Sequence, residues 1–332
     1  MSDDVTMRAH QLMGPGREFD TIRLLMAQWG ALAVDIGDDA AVLRTLSREM
    51  FATGRELVVS TDACVEGTHF LSGWITPHEI GARAVAAALS DLAAMGARAD
   101  ALLFAFVVPE HWRASLVDIA DGIATVVRPT GAKIVGGNLS QGHTFSMTTT
   151  VIGSTMHAVA RRGAQVGDRL LVTGTLGGPG QAVAALYAGQ EPSAWARGRF
   201  VRPWPRLDEG MALAAAGVHA MIDISDGLMA DARHIAAASA VRLRIDVACI
   251  PIGPQVDATA ALESGEEYEL LIAASAAVAT QLRARWQAQF DVSLTDIGEV
   301  VGVDASGAVE IIGLPEAVTR VEFVAGYDHF TA

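Results

Sequence analysis

The chain has 332 residues, 51% of them hydrophobic, with a formal net charge of −14 and an isoelectric point of about 5.0. This length and apolar content suffice for a large core and favour two domains over one. The acidic charge argues against nucleic-acid binding through a basic surface, so we expect no nucleic-acid partner.

The first half of the chain predicts helices that alternate with short strands. Apolar spacing, an alanine-rich stretch closed by Gly96 and a period-two Thr/Val alternation near residue 150 indicate them. In chain order we predict a helix at Glu18–Trp29, a strand at Leu57–Val59, a helix at Pro77–Met95, a strand at Leu102–Val108, a helix at Trp112–Val127, and a pair of strands at Lys133–Val135 and Phe145–Ile152.

The pattern restarts near residue 160. In chain order we predict a strand at Arg169–Thr173, a turn at Gly177–Gly180, helices at Gln181–Tyr187 and Arg206–Ala216, a strand at Ala220–Ile224, a helix at Leu228–Ala238, and strands at Arg242–Val247, Glu269–Ala273 and Asp291–Val301. This order predicts an α+β fold of two α/β domains with mixed sheets, comprising residues 1–155 and 156–332.

Targeting and redox signals are absent from the sequence. The N-terminus is polar and acidic without an apolar signal core, and the longest clean apolar run, Ala101 to Pro109, is too short to span a bilayer. Cys64 and Cys249 form no CxxC and no zinc-type cluster, which is typical of reduced thiols. We therefore expect a cytoplasmic protein with no membrane partner.

Five short acidic motifs follow or interrupt apolar stretches. A lone buried carboxylate is costly, and several that converge would repel one another unless cations lay between them. Hard oxygen ligands suit Mg²⁺, which commonly arrives with a nucleotide phosphate. The motifs therefore predict a magnesium-dependent, phosphate-handling enzyme; they are Gly37–Asp39, Ser60–Asp62, Leu89–Ala97, Asp223–Gly227 and Gly265–Glu269.

Several of these acids also have a plain structural interpretation. Asp38 and Asp39 fit a turn and a helix cap, and Ser60–Asp62 fits an Asx-type turn. The three glutamates of the last motif fit a solvated face, but Tyr268 and the apolar Leu270–Ile272 predict that at least one of them points inward. Asp91 within an Ala/Leu helix and Asp223 within an apolar strand are harder to explain structurally, because both lose hydration.

Other phosphate-handling signatures are missing. The sequence contains no P-loop, no protein-kinase signature set and no GxSxG motif, and the glycines at 177–180 lack a dinucleotide fingerprint. His69 is a possible ligand group, although a hydrogen-bonded structural histidine is the commoner case.

Taken together and in order, the motifs resemble those of thiamine-monophosphate kinases, whose superfamily also contains aminoimidazole ribonucleotide synthetase, selenophosphate synthetase and a hydrogenase-maturation protein. The resemblance runs almost end to end through Gly16–Asp20, Ile36–Ala40, Ser60–Asp62, Val65–Phe70, Leu89–Ala97, Arg161–Ala164, Val172–Gly177, Asp223–Gly227, Ser264–Leu270 and Gly326–Phe330. It implies an aminoimidazole ribonucleotide synthetase-like fold whose N-terminal domains pair in a homodimer, with ATP near the dimer cleft.

The resemblance implies direct in-line transfer of the ATP γ-phosphoryl group to thiamine monophosphate, which gives thiamine diphosphate and ADP with the help of several Mg²⁺ ions. The alternatives are a paralogous synthetase or kinase that acts on another small phosphorylated substrate, and a non-catalytic nucleotide-binding relative. An assay with thiamine monophosphate and Mg-ATP separates them.

The resemblance also assigns roles to individual residues. It implies catalytic roles for Asp62, Asp91 and Asp223. It implies metal ligation by Asp39, Ser60, Thr61, Asp62, Asp91, Asn138, Asp223 and Asp226. ATP contacts would come from Gly137, Asn138, Arg161 and Ser225, and substrate contacts from His69, Glu266 and Tyr327.

The chain departs from the family pattern in two segments, residues 136–141 and residues 264–267. The usual Gly-Gly-Asp reads Gly136-Gly137-Asn138, which keeps an oxygen ligand but removes one negative charge. Leu139-Ser140-Gln141 replaces the usual Thr and Arg, and Ser264-Gly265-Glu266-Glu267 replaces Gly-Gly-Glu-Asp. One metal would therefore bind more weakly or in another place.

Overall fold

The computed structural model describes residues 38–42 and 54–313. The helix predicted at Glu18–Trp29 and the substrate residue Tyr327 lie outside the described residues, as do Gly37 and the Gly326–Phe330 motif. All structural statements below refer to the described part of the chain.

The first sheet has five strands in the order β1-β2-β5-β3-β4, and only the β3–β4 pair is parallel. Its strands are β1 (Ala41–Val42), β2 (Glu56–Val65), β3 (Arg98–Val108), β4 (Lys133–Gln141) and β5 (Ser146–Thr155).

The second sheet has six strands in the order β11-β8-β10-β6-β9-β7, and β11 and β8 are parallel. Its strands are β6 (Arg169–Thr173), β7 (Ala220–Asp223), β8 (Val241–Asp246), β9 (Leu270–Ala274), β10 (Leu294–Val303) and β11 (Val309–Ile312). Both sheets mix parallel and antiparallel pairs, and the predicted α+β class with mixed sheets is confirmed.

Eight α-helices connect the described strands. They are α1 (Pro77–Ala94), α2 (Leu116–Thr130), α3 (Gly178–Tyr187), α4 (Ala194–Val201), α5 (Leu207–Ala215), α6 (Leu228–Ser239), α7 (Ala258–Glu263) and α8 (Ala276–Trp286). The region predicted as a turn at Gly177–Gly180 is instead the start of α3, with Pro179 in its first turn, where proline is well tolerated.

The predicted pairing of the strands near residues 133 and 145 is wrong. Both strands exist, but β3 lies between them: it pairs in parallel with β4 and antiparallel with β5. The short connection at residues 142–145 suggested a hairpin. Instead, the long apolar strand β3 takes the central place, because α2 carries the chain back to run parallel to it.

Helix α1 lies between the two sheets. It packs against β2 and β5 of the first sheet and against β7 of the second, and most of its residues are buried. Its start is fixed by a capping box in which Thr76 and Glu79 each accept the other's backbone N–H. It carries Asp91 and therefore delivers an acid from the first half of the chain towards the second sheet.

Helix α2 approaches α1 so closely that the contact requires glycine. A Cβ atom on Gly81 would collide with the carbonyl oxygen of Ile119, and one on Gly122 would collide with that of His78. This contact holds α1 against its own sheet and fixes its position along the cleft.

Strands β6, β7 and β9 of the second sheet are buried on both faces. Leu171, Met221 and Ile272 face the core around α1, whereas Leu170 and Leu271 face another core that includes residues of α6. This alternation follows from the period-two geometry of strands. No helix among the described residues is both long enough and apolar enough to cross a lipid bilayer.

Candidate functional site

Three of the predicted metal ligands meet beside helix α1. Asp39, Asp91 and Asp223 each offer a carboxylate oxygen, and these three atoms lie within 4.8 Å of one another. Asp91 belongs to α1, and Asp223 is the last residue of β7, so the two halves of the chain contribute to one cluster. We call these three residues the acid cluster.

Burial and mutual repulsion shape the charge state of the acid cluster. Burial raises the pKa of Asp91 well above its ordinary value, and the charges of Asp223 and Asp39 raise it further. Burial and the charge of Asp39 likewise raise the pKa of Asp223. The cluster is therefore costly when fully ionised and gains most from a cation placed between its oxygens.

The predicted residues of β2 lie next to the acid cluster. The Ser60 hydroxyl donates to the Asp91 carboxylate at 2.5 Å and also lies 3.1 Å from the Asp39 carbonyl oxygen. Asp62 accepts the Ala63 N–H at 2.7 Å, and its charge contributes to the raised pKa of Asp91. Asp62 and Thr61 also line the cleft described below.

Arg161 forms a bidentate ion pair with the acid cluster. Its Nε and one terminal nitrogen donate to the two carboxylate oxygens of Asp39 at 3.0 and 2.9 Å. Burial opposes the charge on the guanidinium, but Asp39 more than offsets this effect and raises the pKa of Arg161. The backbone N–H of Arg161 donates to Asp38, which does not belong to the acid cluster.

The turn after β7 is held by an acid that the sequence analysis did not assign to the site. One carboxylate oxygen of Asp231 accepts the backbone N–H groups of Ser225, Asp226 and Gly227 at 3.1 to 3.2 Å. Asp226 forms a separate group with Asp231 and His234. The structure thus places the predicted ligand Asp226 in a neighbouring group.

A cleft of about 600 Å³ opens beside the acid cluster. Asp62, Asp91 and Asp223 line it, together with Ser225 and Asp226. Strand β2, the loop after it and helix α1 line the cleft from the first half of the chain. Helix α3 and residues 223–226 and 263–268 line it from the second half, so the cleft lies between the two halves.

The cleft also has an aromatic wall. Trp74 and Tyr187 line it and meet edge to face, with ring centroids 4.8 Å apart and planes at 89°. Neither residue was predicted from the sequence, since Trp74 lies in a loop before α1 and Tyr187 is the last residue of α3. Their pairing depends on the fold and has no local sequence signal.

His69 and Glu266, the predicted substrate residues, both line the cleft. His69 Nδ1 accepts the Val65 N–H at 3.1 Å, which places the ring hydrogen on Nε2. Glu266 has a left-handed backbone with φ of 60°, and its N–H donates to the Ser225 carbonyl at 2.7 Å. The structure therefore brings these two residues to one side of the same cleft.

The other glutamates of the last motif point inward. Glu267 and Glu269 are buried, and each forms an ion pair with an arginine from α4 or from the segment that follows it. The Glu269 carboxylate contacts both Arg199 and Arg206 and accepts a hydrogen bond from Thr173 at 2.7 Å. The sequence predicted that at least one glutamate of this motif points inward, and two of the three do.

Gly137 and Asn138 lie on β4, away from the acid cluster of the same chain. They stand opposite Phe104 and Ala105 of β3, and both β3 and β5 separate their strand from β2. Strands are spaced about 4.8 Å apart, so roughly 14 Å separates β4 from β2. Asn138 is exposed, and its side-chain amide donates to Ser140 at 3.0 Å.

The donor set of the acid cluster fits Mg²⁺. It consists of carboxylate oxygens joined by a serine hydroxyl, with no thiolate or imidazole among its three acids. Burial and the neighbouring carboxylates raise the pKa values of Asp91 and Asp223, so a bound cation would stabilise their ionised forms. Asp39, Asp91 and Asp223 are the residues that would hold such an ion.

Two family descriptions match the chain. Residues 37–155 match the N-terminal domain of AIR synthase related proteins, and residues 165–310 match the C-terminal domain of the same proteins.

Two similar curated proteins are both thiamine-monophosphate kinases. The thiamine-monophosphate kinase of Escherichia coli K12 is 34% identical over 269 residues, which cover 76% of this chain and 79% of that protein. The thiamine-monophosphate kinase of Mycobacterium tuberculosis H37Rv is 40% identical over 217 residues, and this match spans 64% of this chain and 63% of that protein's length.

Solved structures agree in fold over nearly the whole chain. A structure of AaThiL complexed with AMPPCP and TMP has a TM-score of 0.80 at 27% identity and covers 95% of this chain and 97% of that one. Thiamine-monophosphate kinase from Stenotrophomonas maltophilia K279a has a TM-score of 0.73 at 30% identity, with coverage of 92% and 99%.

Proposed function

Because this chain belongs to the thiamine-monophosphate kinase family, we propose that it transfers the γ-phosphoryl group of ATP to thiamine monophosphate. The observation that carries the proposal is the acid cluster at the edge of a cleft that also holds an aromatic wall. The related structure of AaThiL complexed with AMPPCP and TMP supports this pair of ligands.

The chemistry makes positioning the main task. The acceptor is a phosphate oxygen, which is already anionic at neutral pH, so direct in-line transfer needs no general base and no phospho-enzyme. When bound, Mg²⁺ screens the repulsion between two polyanions and stabilises charge on the transferring group. This fits a cleft whose polar residues are mainly acids and hydroxyls.

In this proposal the residues around the acid cluster bind the cation and the phosphates of the nucleotide. Asp39, Asp91 and Asp223 would hold the cation, with Asp62 and the hydroxyls of Ser60 and Thr61 beside them. Arg161 forms an ion pair with Asp39, and in this proposal its guanidinium would also contact an ATP phosphate.

The other end of the cleft suits a cationic heteroaromatic ring. The thiazolium ring of thiamine carries a positive charge, which an aromatic face and a nearby carboxylate both attract. Trp74 and Tyr187 supply the aromatic faces, and Glu266 supplies the carboxylate. His69 also lines this cleft, and in this proposal its imidazole would contact the acceptor phosphate.

The test is an assay with thiamine monophosphate and Mg-ATP, followed by chromatography of the thiamine products. Formation of thiamine diphosphate and ADP in equal amounts supports the proposal. ATP binding without turnover would instead point to a non-catalytic relative, and ATP-dependent activation of a carbonyl or amide would point to a synthetase.

Replacing Trp74 with alanine is expected to weaken acceptor binding without affecting ATP. Losing one aromatic face from a cation site costs about 1 to 2 kcal/mol, so the KM for thiamine monophosphate should rise by about tenfold. Steady-state kinetics with each substrate varied in turn will measure this. The phenylalanine variant keeps an aromatic face and should stay near the wild type; an unchanged acceptor KM in the alanine variant would contradict the role of the wall.

We further propose that the chain has two domains, residues 1–155 and 156–332, and that it acts in the cytoplasm. The first of these domains would form the homodimer. Strand β4 is an open edge of the first sheet, with Ile134, Val135 and Leu139 all exposed. Within the described residues, β1 covers only Val58 and Val59 on the other edge of the sheet. Two open edges allow two copies to pair reciprocally.

This dimer would bring Asn138 of the partner subunit towards the uncovered part of β2, which carries Ser60–Asp62. It would therefore reconcile the predicted metal and ATP role of Asn138 with its distance from β2 in a single chain.

The dimer is tested by placing a charge on the open edge. Leu139→Glu, at a position that is 64% exposed, is expected to convert dimers to monomers, because a charge cannot be buried unpaired between two sheets. Sedimentation velocity reports the mass. Val303→Glu, on an 83% exposed residue of the second sheet, is the matched control and should leave the mass unchanged; a monomeric wild type would refute the proposal.

A further inference from the structure

Arg83 is a buried charge that none of the preceding roles explains. It lies on α1 between the two sheets, and only 3% of its side chain is exposed. Burying a guanidinium costs several kcal/mol unless hydrogen bonds and an ion pair compensate it. The contacts of Arg83 therefore identify what it stabilises.

Arg83 joins three segments that surround the cleft. Its Nε donates to the Phe200 carbonyl at 3.1 Å, and one terminal nitrogen donates to the His69 carbonyl at 3.2 Å. The other terminal nitrogen forms an ion pair with the Glu266 carboxylate. The guanidinium also lies over the Phe200 ring, 4.4 Å from its centroid. Two of its three partners, His69 and Glu266, line the cleft.

The ion pair with Glu266 differs from its neighbours along the motif. Glu267 and Glu269 pair with Arg199 and Arg206, and the side chains of both glutamates are fully buried. The Glu266 side chain is 27% exposed and lines the cleft. The first two pairs join parts of the interior, whereas the third holds a carboxylate at the cleft surface.

The backbone of Glu266 makes its side-chain anchor important. A left-handed φ of 60° is strained for a residue with a Cβ, and the N–H of Glu266 is already committed to the Ser225 carbonyl. The carboxylate is therefore positioned by its ion pair with Arg83. Burial opposes the charge on Arg83, but Glu266 more than offsets this effect and raises the pKa of Arg83.

We propose that Arg83 is a positioning residue for the acceptor, which fixes Glu266 and the His69 loop at one side of the cleft. Its partners are Phe200, His69 and Glu266, whereas the arginine that pairs with the acid cluster is Arg161. This inference rests on the proposed function and adds to it a residue that sets acceptor affinity. Its effect falls on thiamine monophosphate and not on ATP.

The experiment compares Arg83→Lys, Glu266→Gln and the double variant in the full chain. Kinetics give the KM for each substrate, and calorimetry gives the Kd for thiamine monophosphate without turnover. We expect each single variant to raise the acceptor KM and Kd by about tenfold and to leave the ATP KM within about twofold. Because part of the effect of Arg83 passes through Glu266, the rise in acceptor KM of the double variant should be smaller than the product of the two single rises.

Arg197→Lys is the matched control, since Arg197 forms an ion pair with Glu79 at the start of α1, and Glu79 does not line the cleft. It should change neither KM. Equal rises in both KM values for Arg83→Lys, or additive losses in the double variant, would overturn the proposal. If Arg83→Lys fails to fold, an unchanged acceptor KM in Glu266→Gln overturns it as well.

The two proposals fail in different ways. Failure of the wild type to bind thiamine monophosphate in the calorimeter would sink the proposed function. Normal wild-type binding and turnover, with no selective loss in the variants, would sink the role of Arg83 alone.

Discussion

Replacing Asp223 with asparagine is expected to lower phosphoryl transfer by about two to three orders of magnitude while the fold remains intact. Asp223 is one of three buried carboxylates that meet within 4.8 Å, so its loss removes a charge that the proposed cation requires. The same loss relieves like-charge repulsion, and the melting temperature should stay level or rise. The rate at saturating Mg-ATP and thiamine monophosphate, together with thermal unfolding, measures both effects.

Asp118→Asn is the matched control, because Asp118 is an exposed acid on α2 outside the cleft. Its rate should equal that of the wild type. A near-normal rate in Asp223→Asn would refute the assignment of the acid cluster. A large drop in its melting temperature would show instead that the cluster serves mainly to hold the fold.

Replacing Glu269 with glutamine is expected to destabilise the protein by about 3 to 5 kcal/mol. The carboxylate is fully buried and accepts hydrogen bonds from Thr173 and Arg206, and Arg199 lies 2.9 Å away. The neutral variant would leave two buried guanidinium groups without their shared counter-charge. The free energy of unfolding from urea titration measures the loss.

The pH dependence gives this prediction a sign. Burial alone would raise the pKa of Glu269, but Arg206 and Arg199 hold it below the ordinary 4.5 of a glutamate. A carboxyl group with a lowered pKa contributes its stability above about pH 4.5 and loses it as the pH falls further. The glutamine variant should therefore lose less stability than the wild type on acidification below pH 4.5.

Glu299→Gln tests whether burial is the cause. Glu299 also contacts two arginines, Arg169 and Arg244, but its side chain is 42% exposed. Removing such a pair should cost less than about 1 kcal/mol. Equal losses at the two positions would contradict the distinction.

The sequence predicted the family, which is confirmed, and most of the elements. Helix α1 and strands β6 and β8 differ from their predicted bounds by at most one residue, because each has strong periodicity and a clear stop signal. The pairing of β4 with β5 was predicted wrongly, since a short connection resembles a hairpin and the competing strand is remote in sequence.

Some residues of the candidate site could be predicted from the sequence and others could not. Asp91 and Asp223 were identifiable because an acid within an apolar helix or strand is conspicuous along the chain. Arg83, Trp74 and Tyr187 were not predicted, because nothing in the residues next to them in the sequence marks them as part of a site. Their importance comes from contacts that only the fold creates, between Arg83 and Glu266 and between Trp74 and Tyr187. Asn138 lies three strands from β2 in the sheet, and a chain taken alone gives no signal of the dimer that its predicted role would require.

Helix α1 has almost no face in contact with solvent, and its two sides cover different sheets. If α1 leaves either sheet, the apolar side chains of the other sheet that pack on α1 are exposed as well. We therefore expect the two halves to unfold together in one cooperative transition. The same linkage leaves little freedom for one half to swing against the other. Asp91 and Arg83 therefore keep a fixed separation along one helix, whatever enters the cleft beside them.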